Sequence, residues 1–384
     1  MWDVFIFLNI ILFLILFCGY CILIFSYENW FGKLKPFEPG SALPRNRFSI
    51  IIPARNEAHN IEKCILSILA NSYPKELYEI IVADDFSTDP TPLLVSQLQQ
   101  TYPNVRLLKL ADWVESKLNS YKKKAIELAI NDAANEWIIT TDADCTAPNN
   151  WLQLYDAYIA QSDAVFVAAP VMFTNKGSFI SVFQCLDFLS LQGITAASVS
   201  AGFHNMCNGA NLAYSKAAFA AVNGFKGVDN IASGDDMLLM HKINTRFPGK
   251  TGYLFSPGAI ILTEPMGDWK AFINQRIRWA SKATSYEDKR IFWVLLLVYL
   301  LNAYLFILPF ISIFYHPFFT YWMLLVLGKT VCEIGFMKEV AKFYRLQKLL
   351  WWFPFMQPFH IMYTIISGWL GKFGQYEWKG RTVK

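Results

Sequence analysis

Charge is scarce in this sequence. Only 17% of its 384 residues are Asp, Glu, Lys or Arg, 54% are hydrophobic, and mean hydropathy is +0.28. A chain this apolar cannot keep its whole surface in water, so part of it must face lipid. The net charge of +4 is too small to suggest nucleic acid, and no compact basic stripe with interleaved aromatics occurs. The seven cysteines are scattered, with no Cys-x-x-Cys pair and no His/Cys cluster at zinc spacing. That argues against a structural disulfide or zinc site and for a reducing compartment. His59, His204 and His241 show no triad or ligand spacing and read as structural or surface groups.

What is abundant is arranged in blocks. From Val4 to Phe25 there is no charge, a run of about 22 residues that spans a bilayer as a helix. It is too long for the core of a signal peptide, Asp3 stands where a basic start belongs, and no small-x-small cleavage site follows. Residues 1–30 therefore read as an anchor. A second apolar block begins after Arg290 and suits two spans, with a turn at Tyr315-His316-Pro317. In the second of these, about Phe318 to Met337, Lys329 and Glu333 stand at i, i+4 and can neutralise each other. A third block, Leu349 to Gly371, contains Pro354 and Pro358 and fits a kinked span, a re-entrant hairpin or an interfacial helix.

Basic residues flank these blocks unevenly. Lys33, Lys35, Arg45 and Arg47 follow the first span, and Lys282, Lys289 and Arg290 precede the second. The positive-inside rule places the middle of the chain in the cytosol and the N-terminus outside. Lys338, Lys342, Arg345 and Lys348 put the next connection inside too. The basic tail, 372–384, conflicts with a full crossing by the third block, and both readings stay open. The expected layout is an anchor at 1–30, a cytosolic domain at 46–285, a membrane region of two to three helices at 290–371, and the tail. The expectation is a multi-pass integral membrane protein of a bacterial inner membrane with its catalytic domain in the cytosol.

Between about Arg47 and Ser285 short apolar runs alternate with amphipathic segments. Phe48–Ala54, Tyr78–Ala83, Val105–Leu110, Trp137–Thr141 and Val165–Val171 read as strands. His59–Ala70, Pro92–Thr101, Lys123–Ala133 and Trp151–Ala160 read as helices. The alternation indicates an α/β domain with a mainly parallel sheet, and such sheets bind ligands at the carboxyl ends of their strands. Three of those ends carry carboxylates: Arg55-Asn56-Glu57, Asp84-Asp85 and Asp142-Ala143-Asp144. Asp142 and Asp144 can share a divalent cation, Mg²⁺ or Mn²⁺ by the hardness of the ligands; a polar turn is the plainer account. Ser87-Thr88-Asp89 can be a helix cap, but two carboxylates ahead of it exceed what capping needs. Gly234-Asp235-Asp236 precedes an apolar helix start, where acidic residues favour the helix dipole; the alternative is a general base. Lys122-Lys123-Lys124 is either a solvated face or a phosphate contact. On a helix from about Asp268 to Thr284, Trp269, Phe272, Ile273, Ile277 and Ala280 form a stripe, with Gln275, Arg278 and Lys282 off it.

In this order the motifs resemble the family-2 inverting glycosyltransferases of the GT-A nucleotide-sugar fold, over roughly Phe48 to Trp279. Ser49 to Glu57, with Pro53, Ala54 and Arg55, is similar to that family's first strand and turn. Asp84 to Asp89 resembles its nucleoside motif, with Phe86 where glycine is more usual. Asp142-x-Asp144 resembles its metal motif, and Asn208-Gly209-Ala210-Asn211 its glycine turn near the acceptor. Gly234-Asp235-Asp236 resembles its Glu-Asp pair. Gln275-x-x-Arg278-Trp279 resembles a motif of cellulose, chitin and hyaluronan synthases and ceramide glucosyltransferase.

The resemblance implies hexosyl transfer from a nucleotide sugar, probed first as a UDP-sugar, by a single inverting displacement. Asp236, with Asp235 beside it, would be the catalytic base; Asp142 and Asp144 would hold Mg²⁺ or Mn²⁺; Asp85 and Glu57 would hold the uridine end. Lys122 would add positive charge, while Gly209, Gln275, Arg278 and Trp279 would serve the diphosphate and the acceptor. The layout favours a lipid or lipid-linked glycan acceptor. The rival readings are a processive polysaccharide synthase subunit, a non-catalytic nucleotide-sugar-binding membrane subunit, and a nucleotidyltransferase that would release pyrophosphate.

Overall fold

The computed structural model describes residues 2–40, 43–114, 118, 120–229, 231, 233–282, 288–374, 376–379 and 381–383. The domain boundary expected at 285 and the helix end expected at 284 lie outside the described residues. So do Met1 and Lys384, the two ends of the expected layout.

The chain opens with α1 (Trp2–Gly32), then β1 (Phe48–Ala54), α2 (Ile61–Leu69), β2 (Tyr78–Asp84), α3 (Thr91–Thr101), β3 (Val105–Lys109), α4 (Tyr121–Asp132), β4 (Trp137–Thr140) and α5 (Trp151–Gln161). There follow β5 (Phe166–Ala168), β6 (Val171–Phe173), α6 (Phe179–Ser200), β7 (Leu212–Ser215), α7 (Lys216–Ala221), α8 (Met237–Arg246), β8 (Thr251–Tyr253), β9 (Ile261–Thr263) and α9 (Trp269–Ala280). The last elements are α10 (Lys289–Ser312), α11 (Pro317–Phe343), α12 (Phe353–Phe373) and a hairpin of β10 (Tyr376–Trp378) and β11 (Arg381–Val383).

Seven strands form one sheet in the order β3-β2-β1-β4-β7-β5-β8. All neighbours run parallel except β7, which is antiparallel to β4 and β5. β1 and β2 are buried along most of their length, as strands covered by helices on both faces must be. Because β1, β2 and β4 are parallel, the polar segments that follow them emerge at one edge.

Two expectations need correction. Val165–Val171 is not one strand: the chain breaks at Pro170, which has no N–H for the ladder, and β6 leaves to pair with β9 in a separate parallel ribbon. The helix carrying Gln275 to Trp279 ends at Ala280, with Ser281 as its cap; it starts where Asp268 accepts a hydrogen bond from Ala271 N at 2.8 Å.

Among the described residues four helices are long and apolar enough to cross a membrane: Asn9–Gly32 within α1, α6, α10 and α11. α6 differs in kind, since 72% of its apolar window is buried against 28% in each of the others. It packs between the strands β6 and β8 on one side and α1 and α11 on the other. Gly193 lets α11 come so close that a Cβ there would sit 2.4 Å from Val340 Cγ2. Phe31 of α1 and Phe343 of α11 both pack on Phe255 beyond β8, fastening those helix ends to the α/β domain. The segment leading into α12 starts beside that same end of α11, and Gly371 near the end of α12 lies against Ala280 of α9.

Lys329 and Glu333 do pair. Lys329 Nζ lies 2.6 Å from Glu333 Oε1 and donates to Gln357 Oε1 at 2.8 Å, while Gln357 Nε2 donates to Glu333 Oε2 at 2.5 Å and Tyr20 OH also reaches Glu333. Removing one partner strands the other charge away from water. Glu333→Ala is expected to cost about 3–5 kcal/mol, read as a fall in the melting temperature of detergent-purified protein. The apolar double replacement Lys329→Met/Glu333→Leu should recover most of it; equal losses in both variants would refute the pairing argument.

Candidate active site

Among the described residues a cavity of about 1030 Å³ is lined by Pro53, Ala54, Arg55, Glu57, Asp85, Lys122, Asp142, Asp144, Gly209, Asp235, Asp236, Gln275, Arg278 and Trp279. Its polar end is built from the strand ends. Asp85, 2% exposed, follows β2 and its N–H donates to Ala54 O at 2.8 Å. Arg55 Nη1 donates to the carbonyls of Asp85 (2.8 Å) and Phe86 (2.9 Å), tying the first turn to the second. Phe86 takes φ +52°, which explains why glycine suits that position: a side chain there costs roughly 1–2 kcal/mol. Its ring packs edge-on against Tyr121. Asp89 does the capping work, accepting from Ala58 N and from Thr91 N and Oγ1.

The Asp142 and Asp144 carboxylates leave β4 with different surroundings. Asp142 Oδ1 lies 3.0 Å from Lys122 Nζ. Asp144 is pushed up to about 6 by burial first and then by the negative charges of Asp142 and Glu57. Crowded, partly desolvated carboxylates are what a divalent cation relieves, so the residues fit one. Among the described residues no cluster of three or more His, Cys, Asp or Glu forms a complete cage. Mg²⁺-type sites do not need one, because they use one or two carboxylates plus phosphate oxygens and water.

Lys122 bridges two clusters. Its Nζ also lies 3.1 Å from Asp235 Oδ2; burial lowers its proton affinity, but the two carboxylates outweigh that and hold it charged. Burial pushes Asp235 up, and Lys122, Lys282 and Lys123 more than offset it, leaving its carboxyl below the usual range. Neighbouring Lys123 points the other way, donating to Val228 O (2.6 Å) and Ile231 O (2.8 Å), and burial brings it down to about 8. It anchors the loop that carries the acidic pair.

Asp236 is both a cap and more than a cap. Oδ1 accepts from Met237 N at 2.7 Å, while Oδ2 accepts from Gly209 N at 3.0 Å. That second bond joins the glycine turn to the acidic pair in the cavity wall. A Cβ at position 209 would lie 3.4 Å from Asp235 Oδ2, so the glycine permits close approach there.

Three side chains were not read as site residues. Lys282 is 7% exposed, lines the cavity, and lies 4.0 Å from Asp236 Oδ1. Lys379, between β10 and β11, donates to Arg55 O at 2.8 Å and pairs with Glu57, so the basic tail returns to the turn after β1. Arg276 is 4% exposed and bound to Asp187. Arg276 had a signal: at 272, 276 and 279 it shares a helix face with Phe272 and Trp279, and a cation on an apolar face demands a counter-ion. Lys379 had none, because the tail's return is a tertiary event.

The other end of the cavity is mostly apolar, with Glu333 and Gln357 also in its wall. Leu23, Ile24 and Tyr27 of α1, Val294, Leu295 and Val298 of α10, Phe336 and Met337 of α11, and Phe353 and Met356 of α12 continue its wall.

The model for "Glycosyl transferase family 2" matches residues 49–213, and that for "Glycosyl transferase family group 2" matches residues 137–370. The chain belongs to the family-2 glycosyl transferases. The glycosyltransferase AglE of Haloferax volcanii is 30% identical over 144 residues, 38% of this chain and 45% of that one. A beta-monoglucosyldiacylglycerol synthase of Synechocystis sp. is 26% identical over 120 residues, 31% of this chain and 24% of its own. The matched regions thus span less than half the length of these curated relatives. In fold, the chain is similar to a mannosyltransferase of Pyrobaculum calidifontis, solved with GDP-Man and Mn²⁺, at a TM-score of 0.59 and 18% identity over 94% of this chain and 97% of that one.

Proposed function

We propose that this glycosyltransferase moves one hexose from a nucleotide sugar to a membrane lipid or lipid-linked acceptor, with inversion and with a divalent cation. The observation that carries this reading is the continuity of the cavity. Asp142, Asp144, Asp235 and Asp236 stand at one end, and the same space runs between helices apolar enough to lie in a bilayer. A hydroxyl at Asp236 can belong to a molecule whose chains remain among α1, α10 and α11. The glucosyldiacylglycerol synthase among the relatives supports that class of acceptor.

The residues divide the work by position. The turn of Pro53, Ala54, Arg55 and Glu57, with Asp85, holds the nucleoside end. Lys122 stands between Asp142 of the metal pair and Asp235, next to the base, where departing diphosphate charge accumulates. A divalent cation held by Asp142 and Asp144 would add Lewis-acid charge for the same leaving group. Asp236 accepts the acceptor's proton as the new bond forms and the anomeric carbon inverts. Gln275, Arg278 and Trp279 border the cavity from α9, where they would serve the diphosphate and the acceptor.

In this reading α1, α10 and α11 cross the membrane, while α6 belongs to the cytosolic domain at 46–285. The third apolar block dips and returns, since α12 ends against α9 and the following hairpin reaches Glu57. Exposed Trp351, Trp352 and Trp369 suit the bilayer surface. That return removes the conflict between a basic tail and the positive-inside rule.

The test uses radiolabelled UDP-glucose or GDP-mannose with purified protein, Mn²⁺, and vesicles with or without diacylglycerol. One labelled, chloroform-soluble product that requires the lipid is expected. A ladder of water-soluble products would replace this reading with polymer synthesis, and no transfer in any arm would favour a binding subunit.

A further inference from the structure

The motif helix α9 is held by a charge pair that lies outside the motif's named residues. Arg276 Nε and Nη2 both donate to Asp187 Oδ2, at 3.0 and 2.6 Å, and both side chains are almost fully buried. The remaining Nη1 donates to Gln275 Oε1 at 2.8 Å. The flat face of the guanidinium lies 4.2 Å from the Trp279 ring centroid and 4.6 Å from that of Phe272. One side chain therefore touches both outer members of the motif. Asp187 in turn belongs to α6, and its other oxygen accepts from Tyr363 OH of α12.

We infer that Asp187 and Arg276 are positioning residues: the pair sets the orientation of Gln275 and Trp279 at the cavity wall. The inference rests on the proposed role of that motif. The chemistry requires arginine, not merely a cation. A planar fork can bond a carboxylate with two nitrogens, give a third to an amide oxygen, and still stack on an indole; a lysine ammonium can do only the first in part. A buried pair held only for stability would be replaceable by apolar groups of like volume. A pair held for position would not.

The experiment compares Arg276→Lys, the double variant Asp187→Leu/Arg276→Met, and Trp279→Ala in full-length protein, using whichever of UDP-glucose or GDP-mannose the wild type transfers. Melting temperature, donor KM and kcat are measured for each. Arg276→Lys should keep its fold and donor KM while kcat falls about 10²-fold, the scale on which a displacement of roughly 1 Å acts. The double variant should be folded and as slow. Wild-type kcat in a folded double variant, or in Arg276→Lys, overturns the inference while Trp279→Ala is slow. Wild-type kcat in Trp279→Ala removes the role of the motif itself, and the inference with it.

Discussion

Asp236→Asn should lower sugar transfer by about 10²–10⁴-fold, the range a positioned general base supplies, while UDP or GDP binding stays at wild-type affinity. The choice between the two adjacent carboxylates follows from their partners. Asp235 is 3.1 Å from Lys122, and surrounding cations hold its carboxyl below the usual range, so it is a poor proton acceptor. Asp236 has its cation, Lys282, only at 4.0 Å, and it presents its carboxylate beside the Gly209 turn. Asparagine can retain the 2.7 Å cap to Met237 N, so the helix start survives. The bond from Gly209 N is lost if the amide nitrogen takes that place, at a cost of about 1 kcal/mol. The fold should therefore persist, and the loss should appear in kcat. Calorimetric titration of nucleotide, beside initial rates, checks it: undiminished transfer would remove Asp236 from the chemistry, and lost nucleotide binding would make it a donor-site residue.

The parts of this structure that were legible from sequence are those that local physics decides. The first β-α alternations could be read because each strand is a short apolar run closed by polar residues, as with Phe48–Ala54 before Arg55. Parallel pairing then follows from the helices between them, and it brings Glu57, Asp85 and Asp144 to one edge. α6 escaped that reading: nearly every face of Phe179–Ser200 is buried, so it carries no polar stripe to mark its period. Pro170 was visible, yet the departure of β6 to pair with β9 depends on a strand more than eighty residues later. At the site, carboxylates at strand ends could be found, because their spacing states their chemistry. Asp187 could not, since its meaning comes wholly from Arg276 on another helix.

Removing the Asp144 carboxylate should have the second large effect, and its signature is a change in metal linkage. Asp144→Asn is expected to abolish the stimulation of transfer by Mn²⁺ or Mg²⁺, and chelation of wild-type protein should reduce its rate toward that of the variant. Proton competition gives an independent check. Asp144 is pushed up to about 6 by burial and by the charges of Asp142 and Glu57, so without metal it holds its proton well above the usual carboxylate range. A ligand must be deprotonated to bind, so Mn²⁺ affinity should fall as pH drops through about 6 and level off above it. The linkage to folding has the same origin. A raised carboxyl favours the native state below its unfolded pKa, and that contribution is lost as pH rises through the folded value. Metal-free protein should thus melt at lower temperature at pH 7 than at pH 5 by this group's share, and Mn²⁺ should oppose the difference. Asp144→Asn removes the titrating group and should flatten both curves. A variant that keeps the wild-type pH dependence of Mn²⁺ binding would move the metal away from this strand end.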